Sequence, residues 1–188
     1  MTWVRGCFLI AAAGFALHAQ PSEEIAAARE AVRQATAQHG EDHPVTAFMM
    51  RNLALAFEEG GFHNYAEQYA RRSIGILESH FGASDVSLVP ALNVLAEAYI
   101  SERRYADGRR IAMQAVGIGP VAGPHYATAL HNLAASYHGE GKLKEAAEFY
   151  RKALDARQAT LPAGHPYIAV TRSALARVQR AESLSARR

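Results

Sequence analysis

Apolar side chains return every three or four positions along most of the 188 residues, the spacing of a helix face rather than the alternation of a strand. The pattern predicts helices over 23–38, 45–60, 64–80, 86–102, 105–117, 126–140, 143–159 and 168–184. Alanine, leucine, arginine and glutamate are frequent and prolines are few, which agrees with helix throughout. Ahead of these stretches the pattern is different. Arg5 precedes an apolar run from Cys7 to Leu17, broken only by Gly14, and small residues lead to Ala19 before Gln20-Pro21. That order is a secretory signal, and its apolar run is shorter than the ~20 residues a membrane span needs. Cys7 sits inside the run rather than at its end, which disfavours a lipid anchor. Cleavage after Ala19 is expected, leaving a bacterial periplasmic or secreted chain with no cysteine and no stable membrane insertion.

The helical stretches repeat one another. Asn52-Leu53-Ala54 with Phe57, Val94-Leu95-Ala96 with Tyr99, and Asn132-Leu133-Ala134 with Tyr137 are copies of one phrase, and Ala174-Leu175-Ala176 is a weaker fourth. The leucines at 53, 95, 133 and 175 are 42, 38 and 42 residues apart. Twelve residues after the first three alanines stand Ala66, Gly108 and Ala146, and seven further on stand Ser73, Ala115 and Ala153. Small residues at fixed places let two helices approach closely, while the leucine and aromatic positions fill the space between them. His43-Pro44 and His165-Pro166 stand before two of the units, Asp85 takes that place in another, and a shorter loop before His125-Tyr126 goes with the spacing of 38.

From about Ala31 to Arg180 this series resembles the tetratricopeptide repeat family, in its longer 42-residue kinesin-light-chain variety. The resemblance implies an all-α fold: a right-handed superhelical solenoid of stacked antiparallel helix pairs, with the inner helices lining a concave groove. The expected organisation is a signal peptide (1–19), the leading helix of a degenerate repeat (20–42), repeats at 43–84, 85–124 and 125–164, and a capping helix with a basic tail (165–188). The third repeat matches best. The second departs most, because Gly108 takes the family's alanine place and Gly117-Ile118-Gly119-Pro120 ends its outer helix early.

Charge and chemistry narrow the function. Twenty basic and 18 acidic residues give a net charge of only +2, too balanced for a general nucleic-acid binder. A single cysteine excludes an internal disulfide or a multi-cysteine zinc site. His131 and His138 are seven apart where a helical metal pair is four apart, and His39 and His43 straddle Gly40. His43, His125 and His165 read as inter-repeat loop residues. No G-x-S-x-G elbow occurs, and adjacent Glu58-Glu59 point different ways on a helix. Gly60-Gly61 and Gly141 read as turns within helix pairs rather than phosphate cradles. No catalysis, metal or cofactor is therefore expected. Five arginines from Arg172 onward read as a solvated cap and tail.

What is left is the groove. The resemblance implies that Arg51, Asn52, Leu55 and Glu59 face it from the first inner helix and Asn93, Glu97 and Ile100 from the second. His131, Asn132 and His138 would follow from the third, and Arg177 from the last. A carboxamide both donates and accepts, so Asn52 and Asn132 suit an extended peptide backbone; the alternative is an asparagine that bonds only neighbouring backbone. Thr128, His131 and Asn132 supply no fixed positive charge, so clamping of an acidic tail is not expected. The partner is another protein or peptide segment, not nucleic acid. The competing expectation is a self-associating structural subunit of an envelope assembly, a homodimer through its terminal helices.

Overall fold

The computed structural model describes residues 21–185, so the expected signal segment and the last three residues of the basic tail lie outside the described residues. The described chain is all-α: α1 (Pro21–His39), α2 (Pro44–Glu59), α3 (His63–Phe81), α4 (Val89–Ser101), α5 (Tyr105–Ile118), α6 (Pro124–Gly139), α7 (Leu143–Thr160) and α8 (Pro166–Ser185). Two 3₁₀ turns, Val86–Leu88 and Pro120–Ala122, lead into α4 and α6. Each helix packs on the next in sequence, and α4 also packs on both α2 and α6. The result is two layers, α2, α4 and α6 inside and α1, α3, α5 and α7 outside, with α8 against α7.

The turns within pairs are built alike. Residues 60–62, 102–104 and 140–142 each make the reversal in three residues. In each, the amide of the last turn residue bonds the carbonyl of the aromatic on the preceding inner helix: Phe62 to Phe57, Arg104 to Tyr99, Lys142 to Tyr137 (2.8–2.9 Å). The middle residue must be left-handed. Gly61 and Gly141 meet that demand at φ +79° and +77°, but the second turn puts Arg103 there at +61°.

Between repeats the caps differ. His43 Nδ1 accepts from the Val45 amide and His165 Nδ1 from the Tyr167 amide (both 3.2 Å), as Asp85 Oδ1 does from Ser87 (2.8 Å). These side chains satisfy helix-start amides that have no partner within the helix. The loop reading is corrected for His125. Gly123 takes the capping place, and His125 lies inside the first turn of α6. The spacing of 38 is also explained differently from the sequence reading. The connectors at residues 119–123 and 161–165 have equal length; α5, with 14 residues against 18 in α7, supplies the difference.

Packing follows the repeated phrase. Leu53, Leu95 and Leu133 and the small residues Ala54, Ala96, Ala134, Ala66, Ala146, Ala115 and Ala153 are buried. A Cβ on Gly108 would come within 3.0 Å of Ile100 Cγ1 and 3.1 Å of Ser136 Oγ, which accounts for glycine in the family's alanine place.

A second ladder joins successive repeats. The guanidinium groups of Arg29, Arg71 and Arg109 lie over the rings of Phe57, Tyr99 and Tyr137, at 5.3, 5.7 and 5.7 Å from their centres. Each arginine precedes its ring by 28 residues. Arg151 continues the series, but Gln179 stands where its ring would be. At the middle rung the Tyr99 hydroxyl donates to Glu67 (2.8 Å) and accepts from Arg71, while Arg104 covers the ring at 4.2 Å and bonds Glu67 at 2.8 Å. In α8 the positions that face an outer helix in the earlier repeats (Met50, Leu92, Leu130) are taken by the exposed Arg172.

Candidate binding groove

Two adjoining cavities of about 370 and 460 Å³ open on the inner-helix side. They share Leu55, Glu97, Thr128, Arg157 and Tyr167, so they form one groove in two lobes. The first lobe lies at the beginnings of α4 and α6, where Pro90, Pro124 and His125 join Arg51, Asn52 and Asn93. The second lies toward the ends of α2 and α4, where Glu58, Glu59, Ile100 and Ser101 meet His131, Asn132 and Val170.

Of the residues expected from the sequence, Arg51, Asn52, Leu55, Glu59, Asn93, Glu97, Ile100, His131 and Asn132 line this groove. His138 and Arg177 line neither lobe. They are neighbours: burial and then the charge of Arg177 lower the His138 pKa.

The asparagines divide into two kinds. Asn52 is exposed, and its Oδ1 accepts from Arg51 Nε and Nη2 (3.1 and 2.7 Å), leaving Nδ2 without a partner among the described residues. Asn132 is only 3% exposed, and its Nδ2 donates to the Asn93 carbonyl (3.3 Å) and to Glu97 Oε1 (3.1 Å). Its amide nitrogen is spent inside the stack. Asn93 is buried in the same way: Nδ2 donates to the His125 carbonyl (2.9 Å) and Oδ1 has no partner.

The ionisable groups are tuned by their surroundings. Burial raises the pKa of Glu97; the Asn132 bond and Arg157 oppose this, while Glu58 and Glu59 add to it. Burial, then Arg157 and Arg177, hold His131 down at about 4, so it is neutral near pH 7. Its Nδ1 meets Thr171 Oγ1 at 3.2 Å and its ring stands edge-on to Tyr150. Burial and the nearby Arg51 lower His125.

Arg157 was not among the expected residues, because it lies on the outer helix α7. Two helix pairs on from Leu77, it occupies the corresponding buried place, and an arginine in a leucine position was the signal available in the sequence. Its Nη1 donates to the Tyr167 carbonyl (2.8 Å) and to Thr171 Oγ1, and its carbon centre lies 5.1 Å from the centre of the Tyr167 ring. The end of α7 and the start of α8 thus enter the groove. With Arg51 and Arg157 the first lobe has fixed positive charge, which the inner-helix residues Thr128, His131 and Asn132 alone did not promise. Among the described residues no three histidine, cysteine, aspartate or glutamate side chains are grouped to hold a metal ion, and no helix is long and apolar enough to cross a membrane.

Comparison with known proteins gives the repeat a family. A family model described as Tetratricopeptide repeat matches residues 87–159 and again residues 125–184, together just over half of the chain. Among solved structures, a putative kinesin light chain of Podosopora anserina with nearly identical TPR-like repeats is similar in fold. Its TM-score is 0.67 at 21% identity, over 88% of this chain and 80% of that one. BtubC (BKLC) from P. vanneervenii is similar at a TM-score of 0.65 and 15% identity, over 88% of this chain and 85% of that one. No curated protein matches the sequence.

Proposed function

This chain belongs to the tetratricopeptide repeat family, and from that premise we propose that it is an exported, non-catalytic scaffold that holds a segment of another protein in its groove. The observation that carries the reading is the lining of that groove. Leu55 and Tyr167, 39% and 56% exposed, offer apolar surface beside Asn52 and its unspent amide donor. An extended segment would bury those side chains and give Asn52 a backbone carbonyl to bond. Proteins of this family generally bind other proteins. Export rests on the Met1–Ala19 sequence, with the mature chain beginning at Gln20.

A photo-crosslinking side chain placed at Leu55, compared with one at Met113 on the outer helix α5 (50% exposed), tests the groove in cells. Capture of a second protein from position 55 and not from 113 is the expected result. Equal capture from both, or capture from 113 alone, refutes the groove as the contact surface. The same preparations test export, because the intact mass of the envelope-fraction protein should correspond to a start at Gln20. The competing homodimer through terminal helices has less support, since the face of α8 available to a second copy carries Arg172, Gln179 and Arg180.

A further inference from the structure

The three inner helices α2, α4 and α6 alternate with outer helices through tight reversals, so all three run the same way across the groove. Their beginnings gather at one rim and their ends at the other. Helix beginnings carry partial positive charge and helix ends partial negative charge, and parallel neighbours reinforce one another. The side chains follow the same division: Arg51 stands in the first lobe, Glu58 and Glu59 in the second.

Two side chains shared by both lobes are only partly used. Arg157 is 4% exposed, and both of its internal bonds come from Nη1. Nε and Nη2 have no partner among the described residues. They are the edge of the guanidinium that forms paired bonds with a carboxylate. Glu97 accepts one bond, from Asn132 at Oε1, and its second oxygen has no partner among the described residues. A buried cation and a largely buried anion that each keep unspent hydrogen-bonding capacity toward a cavity call for a ligand that supplies both complements.

We propose that the groove selects an extended segment carrying an acidic side chain and a basic side chain a few residues apart, the carboxylate seated on the Nε–Nη2 edge of Arg157 in the first lobe and the cation between Glu97 and Glu59 in the second. The proposal rests on the groove being the binding surface. Tyr167 and Leu55 give the intervening residues an apolar floor, and Asn52 holds the backbone beside them.

The probe is a panel of fluorescent decapeptides of alanine, leucine and serine. Members carry one acidic and one basic residue at varied separations, either charge alone, or neither. Anisotropy titration of the purified chain should show the mixed-charge peptides binding at least ~10-fold tighter than those with one charge. Glu97→Gln, which keeps an acceptor for Asn132, should remove the gain from the basic residue and leave the gain from the acidic one. Arg157→Lys should do the converse; if it loosens α8, seen as lost helicity, the Glu97→Gln result decides alone. Binding without regard to charge, or equally to acidic-only peptides, overturns the inference and leaves the groove reading intact. Binding of none overturns both.

Discussion

Replacing His131 by glutamine should change how the stability of this protein depends on pH more than any other single histidine substitution. His131 stands among Tyr150 and Arg157 of α7 and Thr171 and Arg177 of α8. Burial first, and then the two arginines, hold its pKa at about 4 against an ordinary 6.5. In the unfolded chain the ring takes a proton near pH 6.5, while the folded chain refuses it until about pH 4. Over that interval the unfolded state holds the extra proton, so stability falls as pH falls. The slope is about 1.4 kcal/mol per pH unit and the total about 3 kcal/mol. Glu97 works in the opposite sense, because its raised pKa lets the folded chain bind a proton first and gain stability on acidification. His125 and His138, both lowered, lean the same way as His131. A difference between two proteins removes these common contributions. Urea unfolding followed by helical circular dichroism, on wild type and His131→Gln at about pH 7.5, 5.5 and 4, supplies that difference. The stability advantage of the wild type should shrink by about 3 kcal/mol from the highest pH to the lowest. An advantage constant to within about 0.5 kcal/mol would mean that the ring is protonated as freely in the fold as outside it, and the account of its surroundings would be wrong.

Three other changes test the architecture by the same unfolding assay. Arg103→Gly should stabilise by about 0.5–1 kcal/mol, by removing a side chain from a left-handed position that glycine fills in the two sister turns; a loss of stability would refute the strain. Tyr99→Phe should cost about 1–2 kcal/mol, because Glu67 and Arg71 lose the hydroxyl they share, and no measurable cost would show the remaining arginine contacts to suffice. His43→Ala should cost about 1 kcal/mol and His43→Asp much less, as Asp85 caps the equivalent place; equal costs would deny the cap a role.

The helices and their pairing were legible in the sequence because burial on a helix leaves a three-to-four-residue trace, and here the trace recurs at a fixed interval. Every helix begins and ends within three residues of the pattern's expectation, counting the 3₁₀ turn before α4 as its start. The groove was legible where it is made of inner helices, from Arg51 to Asn132. At Arg157 the repeat shows an arginine in a leucine place, but no linear pattern reports that this outer-helix side chain lines the groove beside the last helix. The same limit applies to Asn132. Its spacing marks a groove position, but the bond from its Nδ2 to Glu97 depends on how deeply α6 settles against α4. The arginines at 29, 71, 109 and 151 carry the same period as the leucines, yet their purpose appears only when each is seen above a ring.

That ladder also bears on how the protein assembles. Each ring is covered by an arginine that lies 28 residues earlier in the chain. A chain that forms from its N-terminal side therefore has the arginine-bearing helix in place before the ring that docks against it arrives. The contacts that join repeats are short in sequence, which favours fast folding by stepwise growth over a search for distant partners. The covalent order of arginine and ring thus makes every rung a local clasp between one repeat and the next, closed as soon as the two stand side by side.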